Sequence, residues 1–390
     1  MTSTTVGVIG LAYPPLMPRT GSGASSKTEE FYALVESLRG STVVDSVFWA
    51  DSRSDIDEIA SSEIGRELDI VLVVPMTAAP PDWGVSACPN NAIVVVWDCS
   101  PGARVPTEAD QATAHADTSS IGALMQGGGL LVQERSFTTI SGSGENGVGK
   151  VVSTLRIATA AAQMRASKIL QIEQPVAGYS TLNLAGVDTS KIGLEIDFVE
   201  VDSLVPASER QPTDSHEISQ TLARLITDAV RSRRCDAVAM NCHSTNFKGS
   251  PDIGVVGCMA ASGQTPTACT GDVPTAWLLL MLRRLTGSGI YCEPYTIDDS
   301  RKAVLLANCG IGMESMAVPG TWRVAPTQYY PGVNGLGDST AMAVMPGKAT
   351  FVTSRGWQAG SIELVVCEGE ISADRLPDYR ASLLGLVLRA

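Results

Sequence analysis

Two patterns of apolar and polar positions alternate along the chain up to about residue 310. Short apolar runs rich in β-branched residues predict strands at Thr5–Leu11, Thr42–Trp49, Ile70–Met76, Ala92–Asp98, Leu130–Ile140, Lys168–Glu173, Leu194–Val201, Asp236–Cys242, Gly289–Ile297 and Ala303–Asn308. Apolar residues at three- to four-residue spacing predict helices at Glu29–Leu38, Val148–Arg165, Glu217–Arg233 and Pro274–Leu285. Such alternation is typical of parallel sheets covered by helices on both faces. The pattern therefore predicts an α/β protein with two tandem doubly wound α/β domains.

The pattern changes after residue 318, where short strand patterns are separated by Gly and Pro turns. They lie at Thr321–Gln328, Ala341–Met345, Ala349–Thr353 and Ile362–Cys367. No helical pattern separates them, which predicts a small antiparallel β domain. We expect domains at 1–165, 166–318 and 319–390. The final apolar run, Ser382–Ala390, either docks as a last strand or is cut short relative to a longer relative, which would leave the β domain incomplete.

Composition and charge exclude several classes of protein. The 390 residues are 44% apolar and 18% charged, which excludes intrinsic disorder. The 28 Lys and Arg against 41 Asp and Glu give a net charge of −13, so we expect no nucleic-acid partner. We find no secretory signal and no run of about 18 apolar residues, and we expect a cytoplasmic protein that does not enter a membrane. The nine cysteines contain no C-x-x-C pair, which favours reduced thiols over disulfides or a zinc knot.

A glycine-rich motif, Gly142-Ser-Gly-Glu-Asn-Gly147, follows one predicted strand and precedes a helix. Dinucleotide-binding folds use this spacing, with an acidic residue on the next strand, where Glu173 stands. The overlapping phosphate-loop pattern has Val151 in place of the hydroxyl residue that holds magnesium. The motif also comes after four predicted strands, whereas a dinucleotide fingerprint follows the first. We therefore expect no nucleotide cofactor; an anion- or sugar-facing loop or a plain turn is the alternative.

Two polar segments, Met240–Asn246 and Ala268–Pro274, each lie at the end of a predicted strand. Ligands of open α/β sheets bind outside the carboxyl ends of the strands, so these polar groups point to one site. Cys242 beside His243, together with Cys269, could support thiolate catalysis. Two thiols in such settings also resemble those of cofactor-independent amino-acid racemases. His115 and His216 lie in polar helical surroundings, and His243 is left as the histidine with either a structural or a functional role.

Several segments resemble the L-fucose isomerase-like and L-arabinose isomerase-like proteins. They are Phe137–Gly142, the helix to Arg165, Ile169–Tyr179, Cys258–Ala276, Leu285–Gly287, Tyr291–Ile297, Val304–Gly310, Met345–Thr353 and Glu363–Glu370. The similarity is dispersed but collinear from about residue 70 to 371. It implies three domains, a homo-oligomer with sites shared between subunits, and a divalent metal, usually manganese. In the family this metal polarises an open-chain sugar while carboxylates move a proton through an enediol.

The metal ligands that the resemblance implies are only partly present. Asp272 matches the family's ligand aspartate, but Thr245 stands where the ligand and base glutamate is expected. Thr270 replaces a glutamate of the C-E-G-D motif, and Asn308 replaces a histidine of the H-C-G motif. No histidine follows His243, so the C-terminal ligand has no counterpart. A manganese site would need Asp272, His243 and a ligand from another subunit.

These observations lead us to expect a divergent sugar isomerase-like enzyme. Its small-molecule substrate would be a small sugar, polyol or hydroxy-carbonyl compound, converted by aldose–ketose isomerisation through an enediol. The candidate catalytic residues are Asp272, His243, Cys242 and Cys269, and the candidate substrate-binding residues are Asn241, Thr245, Thr270 and Asn308. The alternatives are a metal-independent acid/base or thiol enzyme on the same scaffold, and a non-catalytic carbohydrate-binding relative.

Overall fold

The computed structural model describes most of the chain as two compact units. The described residues are 4–17, 23–100, 118–204, 215–242, 264–308, 311–326, 338–372 and 386–389. The first unit is Met1–Gln163 and the second is Met164–Ala390. Neither this division nor the sheets below test the predicted boundaries at 165 and 318, which stay predictions.

The first unit is built on a parallel sheet of five strands. The strands are β1 (Val6–Leu11), β2 (Ser46–Ala50), β3 (Ile70–Pro75), β4 (Ile93–Asp98) and β5 (Phe137–Ser141). Their spatial order is β2-β1-β3-β4-β5, and every neighbouring pair is parallel. The order reverses between β1 and β3, as in doubly wound sheets. Both faces of β1 and β3 are buried, which explains why these strands are continuous apolar runs.

Helices cover both faces of this sheet. They are α1 (Gly23–Arg39), α2 (Arg53–Ser61), α3 (Glu63–Arg66), α4 (Pro81–Ala87), α5 (Ser119–Val132) and α6 (Gly144–Met164). Phe31 of α1 and Leu155 of α6 pack in the core on one face, while Ile56 of α2 and Leu130 of α5 pack on the other. Each such buried side chain contributes about 1.5–3 kcal/mol of hydrophobic free energy.

Several predicted boundaries in this unit are wrong. The helix predicted from Glu29 begins at Gly23, and the strand predicted from Thr42 begins at Ser46. Leu130–Val132 ends α5 instead of beginning a strand, because the glycines before it do not break the helix. A Cβ atom on Gly129 would collide with the carbonyl oxygen of Pro81, so the glycine permits close packing of α5 on α4. The helix predicted from Val148 begins at Gly144, within the glycine-rich motif.

The second unit contains a smaller parallel sheet with helices on both faces. Its strands are β6 (Ser167–Ile172), β7 (Leu194–Val199), β8 (Ala237–Met240) and β9 (Thr267–Ala268), in the order β7-β6-β8-β9. The helices of the unit are α7 (Val201–Leu204), α8 (Ser215–Arg233) and α9 (Val273–Thr286). Leu222 of α8 and Leu279 of α9 belong to different core clusters, one on each side of the sheet.

An antiparallel sheet completes the second unit. Its strands are β10 (Glu293–Asp298), β11 (Ala303–Ala307), β14 (Gly347–Arg355), β15 (Glu363–Ile371) and β16 (Leu386–Arg389), in the order β10-β11-β16-β15-β14. A separate antiparallel pair is formed by β12 (Arg323–Pro326) and β13 (Asp338–Ala341). The α/β fold class with a small antiparallel sheet towards the C-terminus is therefore confirmed. Part of the final apolar run forms β16, which docks between β11 and β15.

The strands predicted at Gly289–Ile297 and Ala303–Asn308 are present, but they do not extend a parallel sheet. Only four residues, 299–302, separate β10 from β11, and Asp298 accepts a hydrogen bond from Arg301 N (3.1 Å) in the turn between them. Parallel neighbours need a crossover of a dozen residues or more, so this short connection requires an antiparallel pair.

In the described part of the chain, no helix combines the length and apolarity needed to cross a membrane.

Candidate functional site

Three strands of the second unit's parallel sheet end at one place. Asn241 and Cys242 follow β8, and Cys269 follows β9. The Asn241 side chain donates to the carbonyl oxygen of Gln174, beyond the end of β6 (2.6 Å). The backbone N–H of Gly271 donates to the carbonyl oxygen of Met240 (3.0 Å). These bonds hold the predicted strand-end segments together at the carboxyl edge of the sheet.

The turn after β9 has an unusual backbone conformation. Thr270 and Gly271 have φ angles of +57° and +76°, in the left-handed region that a β-branched residue rarely adopts. The Thr270 hydroxyl donates to the carbonyl oxygen of Cys269 (2.7 Å). A Cβ atom on Gly271 would lie 2.8 Å from the Cα atom of Pro175, so only glycine fits without a shift. Strain of this kind costs about 1–3 kcal/mol and is concentrated at functional sites.

This turn places Asp272 at the N-cap of α9. Thr275 N donates to Asp272 Oδ1 (2.8 Å), and Thr275 Oγ1 donates to Oδ2 (2.7 Å). The aspartate is only 7% exposed. Burial raises the pKa of the Asp272 carboxyl above its ordinary value, and the two hydrogen bonds from Thr275 oppose part of that rise. A carboxyl with these properties is suited to accept and return a proton.

The two predicted thiols are in direct contact. The Sγ atoms of Cys242 and Cys269 are 2.7 Å apart, and both residues are buried. A racemase that uses two thiols needs the reacting carbon of its substrate between them. The distance between these sulfurs leaves no room for such an atom, so the geometry argues against the racemase alternative.

A cavity of about 860 Å³ opens beside Asp272 within the second unit. Its wall includes Asp272 and none of the other predicted site residues in the described part of the chain. Apolar side chains form much of the wall: Leu278, Leu279, Leu282, Ile290, Leu306 and Phe351. The size and the mixed lining are those of a small-molecule site.

Two cavity residues, Tyr291 and Glu293, were not predicted. The Tyr291 hydroxyl donates to Glu293 Oε1 (3.1 Å). Burial, followed by the charges of Glu293 and Asp272, raises the pKa of the Tyr291 hydroxyl well above its ordinary value. Their i, i+2 spacing was a usable signal, because side chains two apart in an extended segment lie on the same face.

The remaining predicted residues differ in their placement. Asn308 follows β11 and is buried, and its Oδ1 atom accepts a hydrogen bond from Ile311 N (2.8 Å). His243 and Thr245 lie outside the described residues.

The described donor set does not fit a manganese ion. No three His, Cys, Asp or Glu side chains among the described residues are grouped so that they could hold a metal. A manganese site that also uses His243 stays a prediction, because His243 lies outside the described residues.

The carboxyl edge of the first unit's sheet has a different polar cluster. Asp98, at the end of β4, accepts hydrogen bonds from Ser100 Oγ (2.6 Å) and Ser120 Oγ (2.9 Å). The motif Gly142–Gly147 follows β5, which is an edge strand of this sheet and not its first strand. Glu173, the residue considered for a ribose contact, belongs to the second unit and accepts a hydrogen bond from Val201 N (2.7 Å). The expectation that the protein binds no nucleotide cofactor stays a prediction.

The chain is similar to known proteins over part of its length. No family model matches it. It is similar to the sulfoquinovose isomerases of Priestia aryabhattai and Priestia megaterium, each 27% identical over 163 residues. The alignment covers 36% of this chain and 35% of each relative, so the chain spans about a third of the length of the proteins it matches. Over that part, the chain is distantly similar to a sugar isomerase.

Proposed function

We propose that this protein is a sugar isomerase-like enzyme, divergent from the L-fucose and L-arabinose isomerases, that acts on an open-chain sugar or a related hydroxy-carbonyl compound. The observation that carries the proposal is the buried Asp272, whose carboxyl has a raised pKa, in the wall of a cavity of about 860 Å³. The distant similarity to sulfoquinovose isomerases supports the same reaction class. A fold alone would not, because one fold supports many reactions.

In the proposed reaction, the Asp272 carboxylate takes the proton from C2 of an aldose. The C–H electron pair forms the C1–C2 double bond, and the carbonyl pair moves to O1. The hydroxyl proton then passes from O2 to O1. Asp272 returns its proton to C1 while the charge on O2 closes the new C2 carbonyl, so no proton is consumed. A positioned acid/base group of this kind contributes about 10²–10⁴ to the rate.

The raised pKa of Asp272 suits both halves of this cycle. A carboxylate that is weakly basic in water removes a carbon-bound proton poorly, and burial increases its basicity. Thr275 keeps the two oxygens fixed, so that the carboxylate does not turn away when it loses its charge. Fixed geometry of this kind lowers the entropic part of the barrier.

The proposal is tested by incubating the protein with L-fucose, L-arabinose and sulfoquinovose in D₂O. NMR would follow the loss of the C2–H signal and the appearance of ketose. We expect both for at least one sugar. Parallel samples with added Mn²⁺ and with a chelator test the manganese dependence that the family resemblance implies.

A negative result would have a clear meaning. Sugar-dependent thermal stabilisation without exchange or ketose formation would favour the carbohydrate-binding alternative. Turnover that disappears on thiol alkylation but survives Asp272→Asn would favour the thiol alternative.

A homo-oligomer and a cytoplasmic location stay predictions. Light scattering of the purified protein measures its oligomeric state.

A further inference from the structure

Tyr291 and Glu293 form a polar pair in the cavity wall. The proton transfer by Asp272 between C2 and C1 does not use this pair. Tyr291 is 6% exposed and lies in the core cluster that also contains Cys269 and Leu279. Glu293 begins β10 and lines the cavity beside it. A buried tyrosine hydroxyl usually has a hydrogen-bond partner, and here the partner is itself a carboxylate.

The hydrogen bond between them is directional. Tyr291 uses its proton to donate to Glu293, which leaves the lone pairs of the phenolic oxygen to accept a hydrogen bond. A hydroxyl group bound in the cavity can supply that bond. The raised pKa of Tyr291 keeps the phenol neutral, so it can pass a proton on only if it receives another.

The proposed isomerisation needs such a carrier. Asp272 moves the proton between C2 and C1, but a second proton must travel from O2 to O1. We infer that Tyr291 and Glu293 are the relay for this second proton, with Tyr291 touching the substrate and Glu293 acting through Tyr291. This inference rests on the proposed function and adds a second proton path to it.

The relay needs no added reactant, because the proton that leaves O2 is matched by the proton delivered to O1. The O2 hydroxyl gives its proton to the Tyr291 oxygen while the Tyr291 O–H proton moves to Glu293, so no tyrosinate forms. The electron pair left on O2 is the one that later closes the C2 carbonyl. The reverse transfer then delivers one proton from the pair to O1. Glu293 ends as the carboxylate that it was at the start.

The test separates the two proton paths. In D₂O, exchange of the C2 hydrogen reports on Asp272, and ketose formation reports on both paths. We expect Tyr291→Phe to lower ketose formation about a hundredfold while exchange of C2–H in the best sugar of the panel changes less than about threefold. Glu293→Gln should act in the same direction, and Glu293→Asp should restore part of the ketose formation.

A matched variant and folding measurements serve as controls for the Tyr291 and Glu293 variants. Tyr295→Phe alters a tyrosine of β10 that lies four positions after Tyr291 and outside the described cavity wall, and it should change neither readout. Thermal melting of each variant identifies loss of folding. If Tyr291→Phe forms ketose at the wild-type rate, or loses exchange and ketose formation equally while folded, the relay is wrong. If the wild-type protein neither exchanges nor isomerises any of the three sugars, the proposed function fails and the relay with it.

Discussion

The two parallel sheets of this molecule both carry an aspartate where strands end, and the two carboxylates differ in environment. Asp98 in the first unit is half-buried and surrounded by serine hydroxyls. Asp272 in the second unit is buried, follows a strained turn and lines a cavity. Hydrogen bonds from hydroxyl groups and water stabilise the ionised form of a carboxylate, whereas burial destabilises that form and makes the carboxylate a stronger base. The position at a strand end is therefore shared, and the burial and the cavity are what make Asp272 the better candidate.

The largest effect expected from this comparison is on activity. Asp272→Asn should reduce C2–H exchange in the sugar assay about a thousandfold, because the amide cannot take the proton. Asp98→Asn is the matched control in the other sheet and should leave exchange within about twofold. Equal losses in the two variants would contradict the assignment of the site to the second unit.

The second effect concerns the strained turn. Gly271→Ala should lower the free energy of unfolding by about 2 kcal/mol or more, because alanine is disfavoured at a φ of +76° and its Cβ atom would press on Pro175. Gly128→Ala in α5 is the control, since no heavy atom lies within 4 Å of its added Cβ atom. That change should raise stability by about 0.5–1 kcal/mol. Urea denaturation of both variants measures the difference, and a Gly271→Ala protein as stable as wild type would show that the turn can relax.

A third effect is a shift in pH dependence. Asp272 must be ionised to act as a base, so activity should rise as the pH rises through its pKa, which lies above the ordinary 3.8. The Thr275 hydroxyl stabilises the ionised form. Thr275→Val should therefore raise the pKa further and move the acidic limb of the rate profile to higher pH. Thr227→Val, on the exposed side of α8, should leave the profile in place; an unmoved limb in Thr275→Val would remove Asp272 as the titrating group.

The smallest effect is expected at the paired thiols. Cys242→Ala and Cys269→Ala should change C2–H exchange less than about fivefold, because neither residue forms part of the described cavity wall. Each variant should lose about 1 kcal/mol of stability, since a small cavity replaces a buried sulfur. A folded variant without any exchange would instead support thiol catalysis.

The sequence predicted the parts of this molecule that depend on local pattern. Continuous apolar runs predicted the buried parallel strands, and the rule for strand ends brought Cys242, Cys269 and Asp272 together. It did not predict the helical end at Leu130–Val132, where tight packing on α4 overrides the helix-breaking tendency of glycine. It also missed the pair Tyr291 and Glu293, because their importance depends on burial beside Asp272, and burial arises only in the folded chain.

The position of β16 has a consequence for the order of folding. In the antiparallel sheet, Leu386 of β16 pairs with Leu306 of β11, which is 386 − 306 = 80 positions away. Contacts between such distant residues form slowly, because a long loop must close before they gain any energy. We therefore expect β16 to join this sheet after the local pairs β10–β11 and β14–β15 have formed. Until β16 pairs with it, β11 has an unpaired strand edge, and other chains can aggregate on such an edge.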